Sequence, residues 1–179
     1  MAGEEDAKEQ LARFIGKFDP EVARLAEAIL KKMRRLFPTA LELVYDNYNA
    51  LAIGFSPSER SSEAIFSIAL YPKWVSLFFL QAKGLPDPNS ILRGSGTVAR
   101  HVVLPSPEML DDSAVQEMMR QAQTLAEVPF DPQGAHRLII KSISANQRPR
   151  RPMVKAASRV ARSVTQAKAR NRTARQHQP

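Results

Sequence analysis

Cysteine is absent from the 179 residues, which removes disulfide staples, thiolate metal sites and cysteine nucleophiles from consideration. Histidine occurs three times, and His101, His136 and His177 share no ligand spacing, so a histidine metal site has no support. No apolar run reaches the roughly 18 to 20 residues of a membrane helix, and the acidic opening MAGEEDAKEQ lacks the apolar core of a signal peptide. The expectation is a cytoplasmic protein without a membrane span. Acidic residues are missing altogether after residue 147. The remainder, residues 148–179, carries ten Lys and Arg, whereas residues 1–147 hold 16 basic against 18 acidic side chains. The formal charge of +8 is therefore a property of the C-terminal segment alone.

What is present suffices for a core: 44% of residues are hydrophobic, enough for one domain with an appendage. Leu11, Phe14, Ile15 and Phe18 recur at helical spacing behind Glu4, Glu5 and Asp6, which oppose the helix dipole favourably. Asp19-Pro20 then reads as an N-cap with proline at the first helical position. Val22, Leu25, Ala26, Ile29, Leu30, Met33 and Leu36 trace one apolar face behind it. From Ala40 the period falls to about two. Segments 41–45, 50–55, 64–70 and 74–80 read as short strands whose connections permit only antiparallel pairing. A strand over 98–104 and a helix from Ser106 or Asp112 to Leu125 follow, and HRLIIKSIS (136–144) reads as a last strand or an extended segment. The prediction is an α+β fold, an antiparallel sheet of about five strands with helices on one face. The domain is expected over 1–146. A basic tail over 147–179 is expected to be disordered, its run Arg148-Pro149-Arg150-Arg151-Pro152 burying no surface.

The stretch Trp74-Val75-Ser76-Leu77-Phe78-Phe79-Leu80, then Leu92-Arg93-Gly94-Ser95-Gly96 and Arg100-His101-Val102, resembles the YdhG-like bacterial family, a domain of unknown function. The resemblance spans about residues 20 to 126. It implies a compact α+β domain, some of whose members are described as frataxin-like iron chaperones, and it brings no catalytic residues.

Candidate chemistry is sparse. Gly94, Ser95, Gly96 and Thr97, with Arg93 and Arg100, offer a nest of backbone N–H groups and two guanidinium groups that suits a small anionic ligand. The plain alternative is a glycine-enabled turn. No Walker, Rossmann or nucleophile-elbow pattern occurs, so no catalytic residue, cofactor or metal ligand is assigned. An enzyme of unknown reaction stays as one alternative. An iron chaperone is another, using Glu4, Glu5, Asp6 and Glu9, since hard cations prefer carboxylate oxygen; a solvated first helical turn explains the same cluster. The leading reading is a non-catalytic binding domain whose tail binds nucleic acid non-specifically. Arg148, Arg150, Arg151, Lys155, Arg159 and Arg162 are the expected phosphate contacts, acting through counterion release. A solubilising extension without a partner explains the same charge.

Overall fold

The computed structural model describes residues 2–152. Helix α1 (Ala2–Ile15) and helix α2 (Pro20–Leu36) open the chain. The carboxylate Oδ1 of Asp19 accepts the Glu21 N–H at 3.0 Å, the side-chain cap that Asp19-Pro20 implies. Strands β1 (Leu41–Asp46), β2 (Leu51–Ser56), β3 (Phe66–Leu70), β4 (Val75–Phe79) and β5 (Arg100–Leu104) follow. Helix α3 (Ser113–Leu125) is capped by Asp112, whose Oδ1 accepts from Ala114 and Val115, and strand β6 (Leu138–Ile143) comes last.

These strands form one sheet in the order β5-β4-β3-β2-β1-β6. The first five pair antiparallel, as their short connections require, whereas β6 lies parallel to β1 and places Leu43 against Ile139. The fold is α+β. The sheet is mixed and six-stranded rather than wholly antiparallel, because the chain returns through α3 and a long connection before adding its last edge. A parallel return needs that length of crossover.

The core lies between the helices and one face of the sheet. Ala26, Ile29, Leu30 and Met33 of α2 meet Ile53, Phe55, Phe66, Ile68, Leu77 and Phe79. Phe37 stands at the helix end, with ring centroids 5.0 Å from Phe66 and 5.2 Å from Phe130, which seals this edge with aromatic contacts.

Packing does not stop at residue 146. The Arg148 N–H donates to the Tyr48 carbonyl at 2.9 Å, and Arg150 is only 5% exposed. This corrects the expectation that the Arg148–Pro152 run buries no surface. Its prolines forbid a helix, yet an extended strap can still lay an arginine on the domain when a buried carboxylate receives it. The tail expected over 147–179 lies, from residue 153 onward, outside the described residues, and with it Lys155, Arg159 and Arg162.

Candidate nucleic-acid interface

Strand β1 carries two carboxylates into the core. Its register places Glu42 opposite Phe55, Val44 opposite Ile53 and Asp46 opposite Leu51, so both acids share the helix-packed face. Each is fully buried. An unpaired buried charge is prohibitively unfavourable, so each must hold cations.

At one end, Arg34 of α2 grips Glu42 with two bonds, Nε to Oε1 at 2.6 Å and Nη2 to Oε2 at 2.8 Å. His136 Nε2 lies 2.7 Å from the same Oε1. Burial opposes the charged form of Glu42, but the hydrogen bonds from Arg34 and His136 outweigh it, so its pKa falls below the ordinary 4.5.

At the other end, Asp46 accepts from Lys17 Nζ at 2.8 Å and from Arg150 Nη2 at 2.7 Å. Arg150 also donates to the Asn47 carbonyl and lies over the Phe18 ring, 5.4 Å from its centroid. Burial again opposes ionisation, and the bonds from Lys17, Gln147 and Arg150 hold the Asp46 carboxyl below its ordinary 3.8. Arg151 continues the strap, its Nε donating to the Phe18 carbonyl at 3.1 Å. The strap thus runs from β6 across the end of β1 to the α1–α2 corner.

Where the strap passes the β3–β4 turn, a groove opens. Asn49, Tyr71, Pro72, Lys73 and Trp74 line one side and Arg148, Pro149, Arg151 and Pro152 the other, around about 750 Å³. Tyr71 and Trp74 are stacked, 5.0 Å between centroids and 20° between planes. Arg148 lies over Tyr48, 5.7 Å from its centroid, and Tyr48 is 49% exposed. A second groove of about 560 Å³ adjoins the first through Asn49 and Tyr71. It runs over Ala52, Ser67, Ala69 and Phe78 on the sheet face opposite the helices. Phe78 is stacked on His101 at 4.7 Å. Burial, with the Arg93 charge adding to it, lowers the His101 pKa below the ordinary 6.5, which favours the neutral, stacking ring.

In the glycine loop, one of the two guanidinium groups of the expected nest is already engaged. Arg100 Nη2 donates to the Leu92 carbonyl at 2.7 Å and lies 3.9 Å from Asp87, so its guanidinium is engaged by the loop itself. Asp87 in turn accepts the N–H groups of Ile91 and Leu92 at 2.9 and 3.0 Å. Arg93 pairs through its backbone with His101. Gly94 adopts φ 100° and a Cβ on Gly96 would stand 2.7 Å from the Ala99 carbonyl oxygen, so both glycines serve the turn. Ser95 and Thr97 are exposed. Of the acidic cluster at the N-terminus, Glu5, Asp6 and Glu9 are exposed on α1, and among the described residues no group of three or more acidic or histidine side chains is arranged to hold a metal ion. No helix among them is long and apolar enough to cross a membrane.

The residues that sequence reasoning missed are Glu42, Asp46 and His136. A carboxylate at positions 42 and 46 of a strand in which Val44 is core is the available signal, because such a carboxylate demands a cation. Comparison of the chain with family models, with curated proteins and with solved structures finds no match.

Proposed function

We propose that this is a non-catalytic cytoplasmic binding protein, built on a YdhG-like domain, that engages nucleic acid non-specifically through its basic C-terminal segment. The observation that carries this reading is the segregation of charge: ten Lys and Arg and no acid after residue 147, on a domain that is otherwise slightly acidic. Such a segment gains affinity for a polyanion by releasing its counterions. The position of residues 148–152 supports the reading. Arg150 on Asp46 and Arg151 on the Phe18 carbonyl bring Pro152 to the rim of the groove that holds Lys73 and Trp74.

Within the ten, the roles divide. Arg150 is neutralised by Asp46 and belongs to the fold, whereas Arg148 is exposed and free of any carboxylate among the described contacts. Seven cations lie beyond Pro152. A chain ending at Pro152 keeps the strap and loses those seven. It is expected to bind labelled duplex DNA and RNA at least tenfold more weakly than the full chain at low salt. Equal binding by the two forms would contradict the reading.

A further inference from the structure

Trp74 is the chain's single tryptophan and stands 42% exposed immediately before β4. Its position is fixed: the Tyr71 N–H donates to the Trp74 carbonyl at 2.9 Å and the Tyr71 ring stacks against the indole. An exposed indole braced by a half-buried tyrosine presents a flat apolar surface. Around it stand Lys73, Arg148 and Arg151, with Pro149 and Pro152 completing the far wall of the groove.

That combination selects a chemistry. Cations at the rim attract phosphate, and an open aromatic face accepts any flat π-system, which together describe a nucleotide unit of a single strand. A duplex has the same phosphates but keeps its base faces inside the stack, so it can use the cations and not the indole. Charge complementarity points the same way, since seven further cations follow Pro152, a residue of the groove wall, in the sequence. The neighbouring groove extends the surface, because Phe78 in its lining lies four residues beyond Trp74 in extended chain, about 13 Å at the usual rise.

We infer that the Tyr71–Trp74 groove takes an unpaired base of single-stranded nucleic acid, stacked on Trp74 with its phosphates against Lys73 and Arg148. The inference rests on the nucleic-acid reading above and adds to it a preference for unpaired strands.

The lone tryptophan supplies its own probe. Full-length protein is titrated at low salt with an oligothymidylate, with a duplex of the same length, and with a same-length abasic strand that keeps the phosphates and lacks the bases. Saturable quenching of tryptophan emission by the oligothymidylate alone is expected. Trp74→Ala is expected to weaken oligothymidylate binding about tenfold or more and to leave duplex affinity unchanged; the wild-type quenching stands independently should that variant fold poorly. If all three ligands bind equally and leave emission unaltered, or if the abasic strand quenches as strongly as oligothymidylate, base stacking is overturned while the basic segment keeps its role. If none of the three binds, the nucleic-acid reading fails and this inference fails with it.

Discussion

Asp46 and Arg150, 104 residues apart in the chain, meet at 2.7 Å with both side chains buried. Asp46 closes β1, the first strand, and Arg150 sits in the strap that follows β6, the last. Lys17 reaches the second oxygen of Asp46 at 2.8 Å from the α1–α2 corner. One carboxylate therefore ties together the α1–α2 corner, the sheet and the strap.

Removing one member of such a pair leaves the other charge buried without its partner. Asp46→Asn is expected to cost about 3 kcal/mol in urea unfolding, near the low end for a broken buried pair because Lys17 is half exposed and can turn to water. Replacing both, as Asp46→Leu with Arg150→Met, is expected to recover most of the loss, since well-packed apolar residues often equal or exceed a buried ion pair. Additive losses in the double variant would show that the two residues do not interact.

Two truncations separate the strap from the segment beyond it. Ending the chain after Gln147 removes Arg150 and Arg151 and is expected to lower Tm by roughly 6–12 °C, as a loss of about 3 kcal/mol implies at this size. Ending it after Pro152 keeps every described strap contact and is expected to leave Tm within about 2 °C of the full chain. Equal melting of all three forms would remove the strap from the fold.

Stability should fall in acid through the two buried carboxylates. Both have folded-state pKa values below their ordinary 4.5 and 3.8, so each binds fewer protons folded than unfolded at mildly acidic pH. Their contribution is complete above about pH 5.5 and is lost as pH falls through 4.5 and 3.8 toward the lower folded values. Urea midpoints measured between pH 7 and pH 3 are expected to decline mainly below pH 4.5. Glu42→Gln and Asp46→Asn should each flatten the decline; an unchanged profile in both would assign the acid sensitivity elsewhere.

The loop between β4 and β5 depends on Asp87, whose carboxylate accepts two backbone N–H groups. Asp87→Ala leaves both without that acceptor and is expected to cost about 1–3 kcal/mol. Hydrogen exchange should then quicken at Ile91 and Leu92 while β1 and β2 keep their protection. Unchanged exchange at those two amides would show that the loop is organised by other contacts.

Local signals carried much of this fold into the sequence. Asp19-Pro20 announces α2 because cap and proline act on adjacent residues, and the short turns between β1 and β4 dictate antiparallel pairing by their length. The β6–β1 pairing leaves no such mark. A parallel pairing between segments almost a hundred residues apart has no turn to betray it, and HRLIIKSIS alone suits an edge strand or a packed extended segment equally. In LELVYD the alternation taken by itself offers Leu41, Leu43 and Tyr45 as the inward set. The structure puts Glu42, Val44 and Asp46 toward the helices because their cations come from α2, from the α1–α2 corner and from the strap. Arg150 was hidden for the complementary reason: inside a run of basic residues it looks solvated, and its partner lies far away. Trp74 and Tyr71 read by residue type as core, with a ligand pocket as the alternative, and the exposure of Trp74 at a turn emerges only from the packing.

The most direct test of the account is the salt dependence of nucleic-acid binding by the full chain and by the chain ending at Pro152. Anisotropy of a labelled duplex, followed from about 50 to 200 mM salt, gives the slope of log K against log salt, which counts released counterions at about 0.9 per phosphate contact. The account predicts a steep slope for the full chain and one shallower by up to about six for the shorter form, as seven lost cations require. Equal slopes, or binding that ignores salt in the full chain, would contradict it.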